Sequence, residues 1–313
     1  MADLATINTQ FFLSLVIIGL GYLSKKAKIL DEKASEGLAK VIINITLPSL
    51  ILATISNIDL DFQLIIMPFI CLIYSGIVAI IALKVFRDES WHSKGILLMT
   101  SLGFNIGLFA YPLIQGIFGD EGLVYVAMFD VGNAFIIFGL VYIIGSIYSQ
   151  SEEEKEIDWT EILKMVLKNI PLISYIIALI INVGFGGLGG FTLTFFDTIS
   201  QANKALVLLV LGLYLDFNIK RKNWKKIATV LLIRYAIGLL SGILLYFVLP
   251  FNNMFRTITL ISLILPIGMA VIPFAIEFEY DDELVTLTGS LTNLTIVCSF
   301  VLMWLLLLIF NLG

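Results

Sequence analysis

An asparagine, a glycine and a proline at fixed spacing are the residues in this chain best placed to do chemistry. Residues 105–112 read NIGLFAYP and residues 266–273 read PIGMAVIP. Both fit x-I-G-x-x-x-x-P, and the offset is constant: 266 − 105 = 161 and 273 − 112 = 161, about half of the 313 residues. Both strings lie inside long apolar stretches. There a proline removes a backbone N–H and interrupts the helical ladder, and a glycine lets two backbones come close. Backbone freed in this way finds no water in lipid, so it must face protein or a watery cavity. Asn105 brings a donor and an acceptor to that point. Broken helices at matched depths in two halves are the pattern of a substrate site between half-helices, whose positive ends favour an anion. The candidate ligand contacts are therefore Asn105, Gly107 and Pro112 in the first string, and Pro266, Gly268 and Pro273 in the second.

The parallel continues downstream. FGDEGLVYVAMFDVGN (118–133) and YDDELVTLTGSLTN (280–293) each lead into an apolar run. With a one-residue slip Asn133 falls over Asn293, since 293 − 133 = 160, and both asparagines join the candidate site. Thr292 and Thr295 flank Asn293; they either line the same cavity or bond their own helix backbone.

Three charges sit at membrane depth. Asp130 lies roughly 12 Å into its run at ~1.5 Å per residue, Arg234 falls in LLIRYAIGLL and Lys204 in QANKALVLL. Each costs about 2.5–3.5 kcal/mol at the bilayer centre, so each should face the protein interior with a partner. Two roles are open to each. Asp130 takes a proton or cation, or is half of a structural ion pair. Arg234 pairs with Asp130, or caps the carbonyls of a broken helix. Lys204 compensates the charge of an anionic substrate, or snorkels outwards. Glu277, four residues after Pro273, is a further charge candidate or marks the cytoplasmic boundary.

The elements that must position these residues are apolar helices. Hydrophobic residues make up 59% of the chain and charged residues 14%, against about 25% charge in a soluble domain. Apolar runs long enough for a hydrocarbon core of ~30 Å are centred roughly on residues 18, 47, 75, 103, 135, 172, 206, 237, 264 and 297. The expected fold is an all-α membrane protein of ten transmembrane helices. Five precede the acidic loop at 149–160 and five follow it, so the halves form two inverted repeats in which broken helices 4 and 9 cross.

Basic residues collect on one side, at Lys25, Lys26, Lys28 and Lys33, at Lys84, Arg87 and Lys94, at Lys155, Lys164 and Lys168, and at 220–226, while the other side has Arg256. That asymmetry predicts a multi-pass protein of the cell membrane with both termini outside. The leader MADLATINTQ has no basic residue and does not resemble a cleaved signal.

Other signals exclude more than they offer. Cys71 and Cys298 lie in apolar runs and read as buried free thiols. His92 is the single histidine and too isolated for a metal site. GFGGLGG (184–190) lacks the lysine and hydroxyl residue of a phosphate-binding loop, and no HExxH or GxSxG set appears. No catalytic residue, metal, cofactor or nucleic-acid partner is expected, and the chain does not read as an enzyme. A membrane receptor without transport is the rival from another class.

At the level of motifs the sequence resembles the auxin efflux carrier family. The resemblance runs nearly the full length through GYLSKKAKILDE (21–32), TLPSLIL (46–52), NIGLFAYPLIQGIFGDEGL (105–123) and LPIGMAVIPFAIEFEYD (265–281). That family includes plant auxin exporters and bacterial permeases for malate or malonate. The resemblance implies a ten-helix fold related to that of bile acid:sodium symporters. Scaffold pieces would be 1–62 (spans 1–2) and 151–222 (the cytoplasmic loop and spans 6–7). Transport-domain pieces would be 63–150 (spans 3–5) and 223–313 (spans 8–10), with the scaffold as a homodimer contact. It further implies elevator-type carriage of small organic anions such as malate, malonate or auxin-like acids. The drive is the substrate's own gradient or a coupled H+ or Na+, and the alternative is cation-coupled symport of bile-acid-like anions. Lys204 departs from the family, standing where a small residue or proline is expected.

Overall fold

Short polar side chains set where the helices begin. In the computed structural model, which describes residues 4–150, 159–216 and 223–310, Asp61 accepts from Leu64 N at 2.9 Å and Asn169 from Leu172 N at 2.8 Å. Asn252 accepts from Phe255 N at 2.7 Å and Asp281 from Leu284 N at 2.8 Å. Each satisfies an N–H that a first helical turn leaves orphaned.

The helices in chain order are α1 (Leu4–Lys26), α2 (Glu32–Val41), α3 (Leu47–Ile55), α4 (Phe62–Val85), α5 (Trp91–Ser101), α6 (Tyr111–Phe135) and α7 (Tyr142–Ser149). They continue as α8 (Trp159–Lys168), α9 (Ile170–Phe185), α10 (Gly190–Tyr214), α11 (Trp224–Val248), α12 (Asn253–Ser262), α13 (Val271–Glu277) and α14 (Asp282–Phe310). Single π-helical turns at Ile42–Thr46, Ile106–Ala110 and Ile136–Val141 join α2 to α3, lead into α6, and join α6 to α7. No strand occurs among the described residues. The acidic loop 151–156 and the basic residues at 220–222 lie outside the described residues.

Among the described residues seven helical segments are long and apolar enough to cross a membrane: Leu4–Lys26, Lys33–Ile55, Phe62–Val85, Ile106–Ser149, Gly190–Tyr214, Trp224–Val248 and Asp282–Phe310. The chain is thus a multi-pass membrane protein. Ile106–Ser149 is not one straight rod. Gly119 adopts φ 67, ψ −161, a conformation essentially closed to side-chain-bearing residues, where the expected fourth and fifth spans adjoin. The remaining expected spans fall on shorter pieces: α5 with the turn that follows it, α8 with α9, and α12 with α13.

Packing is close where glycines allow it. α1 lies along α10, and a Cβ on Gly21 would strike the carbonyl of Leu209, one on Gly212 the carbonyl of Ile18. α10 also packs on α3, and α3 on α9. A buried Thr46–Asn203 hydrogen bond of 2.8 Å ties the turn before α3 to α10. Elsewhere α4 packs on α6, α11 on α12 and α5 on α7.

One expectation is corrected. The helices do not break at Pro112 or Pro273. α5 stops at Ser101 and α12 at Ser262, and the non-helical stretches are 102–105 and 263–270. Pro112 lies in the second turn of the helix that resumes at Ile106, just after the π-helical turn Ile106–Ala110. Pro273 stands third in α13, a first-turn position where a missing N–H costs no intrahelical bond. Both prolines belong to the second half-helices and neither ends the first.

Candidate functional site

The two non-helical stretches meet. Asn105 N donates to Pro266 O at 2.8 Å, so the backbones cross in direct contact. Polar groups freed there need partners in this environment, and side chains from neighbouring helices supply several of them. Asn133, on α6, holds both backbone groups of Phe104: its Oδ1 accepts from Phe104 N (2.8 Å) and its Nδ2 donates to Phe104 O (3.0 Å). On the second stretch Thr295, on α14, accepts from Ile267 N at 3.1 Å, and the Ser299 hydroxyl donates to Ile264 O at 2.7 Å.

Arg234 joins the two stretches. Its guanidinium, buried on α11, donates to Thr100 O (3.3 Å), Gly103 O (2.9 Å) and Leu265 O (3.0 Å), and lies 5.3 Å over the Phe104 ring. These carbonyls sit where α5 and α12 run out, the negative ends of the half-helices. A planar cation with several donors in one fork suits that arrangement. Of the two roles open to Arg234, the carbonyl cap is the one its hydrogen bonds fill.

A cavity of about 150 Å³ opens beside the crossing. Asn105, Gly107, Asp130, Asn133 and Gly268 line it from the crossing side; Ile43, Leu47, Asn169 and Tyr175 line it from α9 and the segment before α3. No lysine, arginine or histidine is among its lining residues. Asn105 caps the helix that resumes at Ile106, its Oδ1 accepting from Leu108 N at 3.2 Å. Its Nδ2 has no partner although the residue is only 4% exposed. A buried donor without an acceptor is costly, and here it stands next to first-turn N–H groups that no intrahelical carbonyl reaches. Asn105 thus places an unpartnered amide donor and a positive helix end in the cavity wall.

Asp130 is the cavity's one acidic residue. Its Oδ2 accepts from the Tyr111 hydroxyl (3.0 Å) and the Tyr175 hydroxyl (2.8 Å), and its Oδ1 from Asn133 Nδ2 (3.0 Å). The two tyrosine hydroxyls also touch each other.

Other candidates stand apart. Pro266 contributes only its carbonyl to the crossing, and Pro112 and Pro273 do not line the cavity. Asn293 points elsewhere, its Nδ2 donating to Asp216 O at 2.9 Å. Thr295, not Asn293, takes the part in the second half that Asn133 takes in the first. Lys204 donates to Gln10 Oε1 at 2.7 Å in a separate cavity of about 520 Å³ with Gln115, Asp120 and Asp197. Glu277, exposed at the end of α13, accepts from the Tyr142 hydroxyl at 3.1 Å. Tyr175 and Asn169 were not singled out by the sequence, because a tyrosine in an apolar run and an asparagine before one carry no distinctive spacing. Tyr111 lies within the repeated string itself and was open to notice. Among the described residues no group of three or more His, Cys, Asp or Glu side chains could hold a metal ion.

Asn133→Ala leaves Phe104 N–H and C=O unpaired in a dry place, a loss of roughly 2–4 kcal/mol. Thermal melting of the purified protein in detergent checks this. A melting point equal to wild type would show that the clamp is not needed.

A family model described as membrane transport protein matches residues 7–309. An uncharacterized transporter of Methanothermobacter thermautotrophicus is 28% identical over 285 residues, covering 89% of this chain and 91% of the relative. The uncharacterized transporter MJ1031 of Methanocaldococcus jannaschii is 27% identical over 292 residues, covering 89% of this chain and 92% of the relative.

Proposed function

We infer, since this chain belongs to the membrane transport protein family that the auxin efflux carrier motifs pointed to, that the solute it carries is a small organic anion with a carboxylate. One observation supports this above the others: Asn105, which lines a cavity at the start of the helix from Ile106, carries a buried Nδ2 without a partner. A carboxylate would accept from that amide and from the free first-turn N–H groups, as anions do at helix N-termini.

The carrier works by alternating access of the elevator type. Ten spans form two inverted five-helix repeats, with the crossing at their centre. α1, α2–α3, α9 and α10 are the scaffold and the dimer contact; the crossing moves with α4 to α7 and α11 to α14. The position of the cavity favours this division, since α9 and the segment before α3 form one wall and the crossing forms the other. The protein resides in the cell membrane with both termini outside, the orientation its basic loops favour. Transport runs on the substrate's own gradient or with a proton or sodium ion.

Entrance counterflow in proteoliposomes tests the reading. A carboxylate panel is expected to yield at least one solute whose labelled uptake is saturable and is stimulated by unlabelled solute inside. No counterflow with any carboxylate, from protein shown to be folded and inserted, would contradict it.

A further inference from the structure

The cavity at the crossing is asymmetric in charge. At one end stands Asn105, which lines the cavity and carries a buried, unpartnered Nδ2, at the N-terminal turn of the helix that begins at Ile106. Asn133 links the other end to it, bonding both the backbone of Phe104, the residue before Asn105, and Asp130 Oδ1 at 3.0 Å. The anion donors and the Asp130 carboxylate are therefore separated by a single side chain. Between and around them the walls are largely apolar, with Leu47 and Ile137 among the lining side chains.

We propose that the substrate is a small monocarboxylate with an apolar body, and that Asp130 is the residue that excludes dicarboxylates. This rests on the anion-carrier reading above. A first carboxylate is met by Asn105 and the helix end. A second has no cation to reach: no basic side chain lines the cavity, and the guanidinium of Arg234 is turned to the carbonyls of residues 100, 103 and 265. It would meet Asp130, whose hydrogen bonds from Tyr111, Tyr175 and Asn133 hold the carboxylate in place rather than away. A second charge would lose its water against apolar walls and be repelled by a like charge. The volume sets the size of the apolar body. A cavity of about 150 Å³ holds a body of about benzene size, and a fused-ring skeleton is too large.

Matched acids test the proposal. Butyrate and succinate differ by a methyl against a carboxylate, as do phenylacetate and phenylmalonate by a hydrogen against a carboxylate. Each is titrated by thermal shift against full-length purified wild type, Asp130→Asn and Asp130→Glu. In wild type the monocarboxylate of a pair is expected to bind at least about tenfold more tightly. Asp130→Asn, which keeps the size of the side chain, is expected to bring the pair within about threefold, and Asp130→Glu to keep the preference. Equal or tighter dicarboxylate binding in wild type overturns the proposal, as does an unchanged preference in Asp130→Asn. In either case a carboxylate still binds and the anion-carrier reading stands. Binding of none of the four acids to any folded variant overturns both. Should Asp130→Asn fail to fold, the wild-type pairs and Asp130→Glu decide.

Discussion

Arg234→Ala is expected to melt at least about 10 °C below wild type and to carry no solute. The guanidinium is the common partner of three buried carbonyls, two from the end of the first half-helix and one from the second stretch. Alanine leaves all three without a donor. At about 1–2 kcal/mol for each orphaned group the loss is roughly 3–6 kcal/mol. It also removes the cation that offsets two converging negative helix ends. Arg234→Lys separates these contributions, because an ammonium keeps the charge but cannot span three acceptors in one plane. Its melting point is expected between those of wild type and alanine. A variant Arg234→Ala that melts within about 2 °C of wild type would show that the crossing stands without the guanidinium.

The second large effect is on binding rather than folding. Asn105→Ala is expected to weaken carboxylate affinity by about 10- to 100-fold, the range for losing one hydrogen bond to a charged group. It also costs about 1 kcal/mol of stability through the lost cap on Leu108 N. Asn105→Asp isolates the donor. Aspartate caps a helix as well as asparagine does, so the cap is kept, while the buried charge lowers the melting point. The amide donor, however, is replaced by a carboxylate that repels the substrate. Thermal-shift titration with the best acid from the counterflow panel reads both variants. Wild-type affinity in Asn105→Asp would remove Asn105 from the substrate site.

How much of this was legible beforehand depended on whether a residue had another reason to be where it is. Asn105, Gly107 and Gly268 stood out because a lipid-spanning helix has little use for them, and all three line the cavity. The exact place of the breaks was not legible. A proline inside an apolar run reads as an interruption, yet the breaks fall at 102–105 and 263–270, upstream of Pro112 and Pro273. Arg234 announced itself as a buried cation, but its partners are backbone carbonyls of residues 100, 103 and 265, which have no side-chain signature.

Asn293 matches Asn133 in residue type and in offset, whereas Thr295 only flanks the matched position. Two positions along a helix differ by roughly 200° around its axis, so Thr295 reaches Ile267 while Asn293 reaches Asp216. Tyr175 was hidden for the opposite reason, since a tyrosine among leucines and isoleucines needs no explanation. Its contact with Asp130 spans 45 residues of sequence. Lys204, a departure from the family at the sequence level, bonds Gln10 and lines its own cavity with Asp120 and Asp197 rather than the one at the crossing.

Bromine offers the most direct test of where the solute sits. Crystals of the protein grown with 3-bromopropionate, a carboxylate small enough for the cavity, would locate the ligand by its anomalous signal. The expected result is a bromine peak among the apolar walls near Leu47 and Ile137, with the carboxylate bonded to Asn105 Nδ2 and to N–H groups at the start of the helix from Ile106. A peak beside Lys204, with the crossing empty, would contradict the assignment of the substrate site.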